Sequence, residues 1–556
     1  MSSPALPMRN QRRFRFDLWT VVTLVSLAFF LLFLIYPLGK VFMASMLADG
    51  KMNFDNYINF FKLKYYYGAL LNSFIVSGSA TVLACMIGIP MAYVMSRFHI
   101  PCKGFVHILI ILTLLSPPFI GAYSWILMLG NNGFITRFLG SLGIHIKSIY
   151  GLHGMIFVFA LQYYPHIYLY VSGALKTIDK SLEEASESLG VHAWSRIRKV
   201  TLPLIFPTVS MGALMVFMAS FSDFGTPMLL GQGLKTLAVL TYEEFVGEMG
   251  TNPGMSSTIS IVLLLITTLL LFWQRRLVAK KSYAMNSMRA PEIVKLKGLP
   301  KLGAYVFTGA VVLLSLIPQA TVIVTSFIKT KGPVFTSEFG FDSYREVFGR
   351  VPEAIGNTFA FSSVAIVIMV LAGMLISYVV VRKKSKLTAL LDAMIMIPYV
   401  IPGTVLGISL IIAFNTPPIV MTGTWMILVV AYVIRKLPYT MRSSSAILFQ
   451  LDRSVEEASI SLGVPPMKTF FKTTAILMLP GVLSGAILSW VTTINELSST
   501  VVLYHGSTAT ITVSIYREVV NGTYGTAAAL ASILSLCTIV SLIIVNKISG
   551  KRGFSV

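Results

Sequence analysis

Runs of about twenty apolar residues recur along the chain, and a run of that length crosses the hydrocarbon of a bilayer as a helix. In a membrane every backbone N–H and C=O must find its partner inside the segment, so these runs are confined to helices. Six are read in the first half, near 18–43, 68–96, 104–129, 150–174, 204–224 and 256–274, and six in the second, near 302–327, 357–381, 388–414, 418–437, 476–496 and 526–546. With 55% hydrophobic and only 12% charged residues, the chain has too little polar surface for a soluble domain. The fold class that follows is an all-α integral membrane protein of twelve transmembrane helices.

The net charge of +22, from 44 Lys and Arg against 22 Asp and Glu, is spread over short segments between the apolar runs. It gathers on no soluble face, which removes nucleic acid from the partners and leaves membrane lipid. Placing the N-terminus in the cytoplasm puts MRNQRRFRF, SRFHIPCK, KTIDK with RIRK, QRRLVAKK, VRKKSK and KISGKR on that side, so both termini are predicted to be cytoplasmic. Cys85, Cys102 and Cys537 are too scattered for a disulfide framework or a paired-cysteine metal site. The first apolar run is too long for a cleavable signal, and no small-residue cleavage site follows it.

The halves repeat each other. Asn72–Tyr93 resembles Asn357–Tyr378 at an offset of 285, and Thr236–Val246 resembles Thr510–Val520 at 274. Six is even, so both halves enter the membrane in the same sense, as two parallel six-helix repeats about an axis along the membrane normal. The expected division is a first repeat at 1–274, a cytoplasmic linker at 275–301 and a second repeat at 302–556, with a pathway between the repeats.

One stretch repeats without a gap at an offset of 273: Ser181–Leu204, SLEEASESLGVHAWSRIRKVTLPL, and Ser454–Leu477, SVEEASISLGVPPMKTFFKTTAIL. Each copy reads as a short helix opened by a capping box, Ser181 with Glu184 and Ser454 with Glu457, and closed by a glycine, Gly190 or Gly463. Leu182, Ala185 and Leu189, and in the other copy Val455, Ala458 and Leu462, fall at i, i+3 and i+7 and form an apolar stripe.

These stretches resemble the EAA loop of ATP-binding-cassette importer permeases. Glu184-Ala185-Ser186 with Gly190, and Glu457-Ala458-Ser459 with Gly463, match its Glu-Ala-Ala and glycine. Val200-Thr201-Leu202-Pro203 matches its closing Ile-x-Leu-Pro, whereas Ile476 in the second copy stands where Pro203 stands in the first. The resemblance covers nearly the whole chain and implies a type I ABC importer permease fold, two halves fused, in a bacterial inner membrane. It implies that Glu184, Ala185, Gly190, Glu457, Ala458 and Gly463 form coupling helices for two copies of a nucleotide-binding ATPase subunit. It also implies an extracytoplasmic substrate-binding protein, with the loops around Glu243, Glu244 and Glu518 as a candidate landing surface. No cofactor is expected on this chain, nor enzymatic activity. Its Gly-Lys pairs at Lys40, Lys51 and Lys551 lack the Ser or Thr that a P-loop uses for magnesium, so ATP and Mg belong to the partner ATPase.

Asp223 and Glu496 are also 273 apart, one carboxylate per half, and with Asn495 they are the candidate substrate-pathway residues. Asp223 lies sixteen residues past Pro207, about 24 Å of helix, near the outer edge of the hydrocarbon. Paired carboxylates suit a hard cation that prefers oxygen ligands, such as ferric iron; capping the broken end of a helix is the other role open to them. No metal site is established. Tyr163, Tyr164 and His166 either line a pore or pack the bundle, and Pro117, Pro118, Pro398 and Pro402 either flank a site or simply kink their spans. Ferric iron is the first cargo, with thiamine, 2-aminoethylphosphonate, polyamine and sulfate as alternatives in the same class. Sulfate is disfavoured because no basic residue is read inside the central spans. An ion-coupled secondary transporter would need charges at the midplane and gives no reason for two EAA helices.

Overall fold

The computed structural model describes residues 18–48, 51–247, 252–280, 293–332 and 334–548. The N-terminal basic segment, residues 281–292 of the linker and the end of KISGKR lie outside the described residues. Among the described residues eight helices are long and apolar enough to cross a membrane: Leu18–Ser45, Lys64–Arg97, Trp194–Ser222, Pro253–Gln274, Gly298–Thr325, Pro352–Arg382, Pro466–Ile494 and Tyr524–Ile544. Two further pairs pass that test together but are sharply bent. Lys103–Leu115 turns 96° into the segment starting at Pro118, and Lys386–Tyr399 turns 111° into Gly403–Phe414. By length and apolarity the count is thus eight, or ten with the bent pairs, rather than the expected twelve.

The remaining two expected runs are helices of 26 residues, Leu152–Thr177 and Trp425–Gln450, about 39 Å each. They run through the middle of the bundle and carry tyrosine, histidine, arginine and lysine, so their apolarity is lower. The tenth run therefore extends well beyond 437. The third and ninth runs are not single straight spans, because proline supplies no N–H and clashes with the preceding turn.

The duplication carries through to the elements. Leu152–Thr177 and Trp425–Gln450 begin and end 273 apart, Pro118–Leu129 and Gly403–Phe414 285 apart, and Leu237–Val246 and Ile511–Val520 274 apart. Even the hydrogen-bonded pins recur. Asn72 donates to the Lys235 carbonyl (3.1 Å) and Ser73 Oγ accepts from Leu237 N–H (2.9 Å); Asn357 donates to the Ala509 carbonyl (3.0 Å) and Thr358 Oγ1 accepts from Ile511 N–H (2.8 Å). These side chains satisfy backbone groups left open where each short helix begins.

The all-α class holds, with one small addition to it. Each half follows its first helix with a small antiparallel hairpin, Leu47–Ala48 with Lys51–Met52 and Ile328–Lys331 with Val334–Phe339. Strands this short leave no periodic signal in the sequence.

The first helix of each half packs on the other half. Phe30 and Leu34 of Leu18–Ser45 join Val405 and Leu428 in one core, while Val311 and Val312 of Gly298–Thr325 join Ile110 and Val158 in another. Between the halves, Phe119 and Tyr123 meet Ile494, Leu497 and Ala528 in a third.

Candidate functional site

Each EAA stretch forms a helix, Lys180–Ser188 and Ser454–Ser461. The caps sit earlier than the sequence suggested. Asp179 accepts from Ser181 N–H and Asp452 from Ser454 N–H, both at 2.9 Å, so a carboxylate two residues upstream takes the N–H that a capping box gives to Glu184 and Glu457. Accepting that backbone N–H also holds the Asp452 carboxyl below its usual range. Glu184 is exposed and pairs instead with Lys180 at 3.2 Å. The glycines do close the helices. Gly190 and Gly463 take φ +74° and +83°, a left-handed conformation costly for any residue with a Cβ, and Val191 and Val464 N–H then reach back to the Ser186 and Ser459 carbonyls.

The apolar stripe is left bare by this chain. Leu189, Trp194 and Leu462 are 82%, 76% and 85% exposed, and Ala185 and Ala458 are exposed beside them. Both loops then leave through a single π-helical turn at the same register, Ile197–Thr201 and Phe470–Thr474. Ile476 in place of Pro203 leaves the exit alike in the two halves, with the same π-helical turn at the same register.

Between the halves lies a cavity of about 330 Å³. Its walls include both helix breaks, at Pro117 and Pro118 and at Pro398 and Tyr399, together with Asp223, Asn495 and Glu496, so all three candidate pathway residues line it. Tyr163 and His166 line it as well, whereas Tyr164 is fully buried in the first-half core. Asp223 follows the helix that ends at Ser222 and accepts from Thr226 N–H (2.8 Å), capping Gly225–Leu230. Glu496 accepts from Ser499 N–H (3.1 Å). Capping and cavity lining are thus combined in the same side chains. Past each carboxylate the chain builds further buried structure, including Leu237, Val239, Ile511 and Val513.

Two cations overturn the expectation that the central spans hold no basic residue. Arg435 and Lys436 lie mid-helix in Trp425–Gln450, and both pair with Glu496, Lys436 Nζ at 2.8 Å from Oε2 and Arg435 Nη1 on Oε1. Side-chain exposures are 18% for Arg435, 11% for Lys436 and 5% for Glu496. The helix continues past 437 and through Pro438 to Gln450, so the two cations sit in its interior. At the matching offset the first half has Gln162 and Tyr163, and Gln162 donates to the Thr113 and Ser116 carbonyls (2.9 and 2.7 Å) freed by the break. Asn495 reaches across the halves to the Leu115 carbonyl (3.1 Å), and its Oδ1 is buried with no hydrogen-bond partner. Among the described residues no three His, Cys, Asp or Glu side chains gather as a metal site.

The acids proposed as a landing surface have partners within the chain. Glu243 pairs with Lys235, Glu244 accepts from Tyr66 (3.2 Å), and Glu518 accepts from Thr523.

Residues 84–283 and 369–552 each match the family described as binding-protein-dependent transport system inner membrane component. The chain is similar to the ferric transport system permease protein FbpB of Actinobacillus pleuropneumoniae, 29% identical over 96% of this chain and 79% of that one. It is also similar to the putative ferric transport system permease protein FbpB 1 of Haemophilus influenzae, 28% identical over 89% of this chain and 79% of the relative. The spermidine/putrescine transport system permease protein PotB of Haemophilus influenzae is 30% identical over 45% of this chain and 89% of its own length.

Proposed function

The chain belongs to the family of binding-protein-dependent transport system inner membrane components, with the family's domain present twice, and on that premise we propose that it carries ferric iron across the membrane. It is a fused-duplicate, multi-pass permease subunit of an ATP-binding-cassette importer, not an enzyme. In the proposed assembly the exposed stripes around Ala185 and Ala458 receive two ATPase subunits, which bind ATP and Mg, and an extracytoplasmic binding protein delivers the cargo at the opposite end. Both termini face the cytoplasm. The observation that carries the cargo is the pair of carboxylates, Asp223 and Glu496, on one cavity at equivalent positions of the two halves, in a chain whose relatives along most of its length are named for ferric transport.

ATP binding, by this reading, closes the two ATPase subunits and draws the two EAA helices together, opening the cavity outward, and release to the inside follows hydrolysis. Uptake into vesicles holding the chain, its ATPase and its binding protein tests the cargo. ATP-driven entry of labelled ferric iron, reduced in Asp223→Asn, is the expected result. Entry of thiamine or an aminophosphonate with no iron uptake would overturn it.

One observation favours a second reading within the same class. Arg435 and Lys436 outnumber the carboxylate they share, so the second half presents a net positive wall to the cavity, which suits a cargo with an anionic group such as 2-aminoethylphosphonate or sulfate. The same uptake panel, with labelled sulfate added, separates the two.

A further inference from the structure

The second EAA helix is fastened to the bundle through Glu456, the residue before the motif glutamate. Glu456 Oε1 lies 3.2 Å from Arg382 Nε, and Oε2 accepts from the Tyr378 hydroxyl at 3.2 Å. Arg382 Nη2 donates to the Leu451 carbonyl at 2.9 Å, just ahead of the EAA helix. Tyr378 and Arg382 are one turn apart at the end of the Pro352–Arg382 helix, so they share one face. The pair is shielded, with side chains 9% and 14% exposed, and is not the solvated surface kind that holds little. An aromatic group closes the other side: Trp19 of the first helix and Phe470 of the π-helical exit turn pack on Tyr378 at centroid distances of 4.3 and 4.8 Å.

The placement is directional. Ala458 and Leu462, on the bare stripe, lie about 200° and 240° around the helix from Glu456. A push on the stripe is therefore received on the far side by Arg382. The same residue types recur in the first half's sequence, Tyr93 and Arg97 at the 285 offset and Glu183 at 273. Arg97 is only 4% exposed.

We infer that Arg382 is a positioning residue for energy coupling: with Glu456 and Tyr378 it forms a rigid joint that makes the second EAA helix and the Pro352–Arg382 helix move as one body. The inference rests on the EAA helices being the ATPase docking elements. The test uses the complete complex of this chain with its ATPase and binding protein, in proteoliposomes, comparing the parent with Arg382→Gln, Arg382→Lys and the charge-exchanged Arg382→Glu/Glu456→Arg. Labelled ferric iron moved per ATP hydrolysed is expected to fall at least ~5-fold in Arg382→Gln, the low end of ordinary coupling between sites, less in Arg382→Lys, and to recover in the exchanged pair. A readout independent of cargo accompanies it. With the native cysteines replaced, spin labels at Ile460 and Leu371, both exposed, are expected to keep one distance with and without trapped ATP in the parent and to spread in Arg382→Gln.

An unchanged label distribution in Arg382→Gln would overturn the joint, as would transport and hydrolysis falling in proportion. If Arg382→Gln does not fold, an exchanged pair that folds yet leaves iron moved per ATP low overturns it equally. The double variant Ala185→Asp/Ala458→Asp, which alters both docking stripes, separates this from the docking premise. An ATPase that still co-purifies with that variant removes the premise, whereas its loss, beside an unaltered Arg382→Gln, removes the joint alone.

Discussion

Asp223 and Glu496 look alike in the sequence and are unlike in the fold. Glu496→Gln would leave Arg435 and Lys436 without a counter-charge, and removing one partner of a buried ion pair costs about 3–5 kcal/mol. Asp223→Asn keeps an oxygen for Thr226 N–H and should cost less than about 1 kcal/mol. Thermal unfolding of the two purified variants in detergent checks this: a large drop for Glu496→Gln and a small one for Asp223→Asn are expected, and equal drops would contradict the asymmetry. The equivalence of the two carboxylates was legible because position along a repeat survives in sequence. Their difference was not, because it depends on a pair of cations sixty positions away that become neighbours only when the Trp425–Gln450 helix packs beside the break. The caps differ on a smaller scale: Asp179 and Asp452 take the Ser181 and Ser454 N–H groups that a capping box leaves to Glu184 and Glu457, because a carboxylate two residues upstream reaches that N–H as well as one three residues on.

At the scale of elements, the π-helical turns Ile197–Thr201 and Phe470–Thr474 lie near the start of the continuous helices Trp194–Ser222 and Pro466–Ile494, just after the glycine turn that ends each EAA helix. A π-helical turn holds one residue more than the α-helix around it, so deleting Lys472 should restore α-helix, removing the widened turn while the residues beyond keep their faces. Such a variant is expected to insert and fold while losing ATP-driven uptake; uptake at the parent's level would show the turn to be dispensable. Nothing in the composition marks these turns, since Phe-Phe-Lys-Thr-Thr and Ile-Arg-Lys-Val-Thr share little beyond a lysine and a threonine. The prolines were informative but underread. Pro117 and Pro398 do more than kink: they end their helices, and the 96° and 111° bends turn two spans into walls of a cavity.

For the molecule as a whole, the exchange of first helices means that neither half owns a complete core. Leu18–Ser45 shields second-half residues and Gly298–Thr325 shields first-half ones. Expressed as two chains split within 281–292, the halves are expected to associate and recover uptake together, and each alone to be degraded; a stable solitary half would contradict the exchange. Repeat number, parallel sense and the EAA helices were all legible, because each leaves a period or a register in the sequence. The crossing of the first helices left none, since an apolar stripe does not say which neighbour covers it. The two copies also differ where the cavity is most polar: Gln162 and Tyr163 on one side, Arg435 and Lys436 on the other. A permease assembled from two copies of one gene product must repeat every wall residue around its axis, so a cation gained on one side is gained on both. Covalent fusion lifts that constraint. Each wall here can be altered by a single codon without its mirror image, and a lopsided pore becomes something that selection can keep.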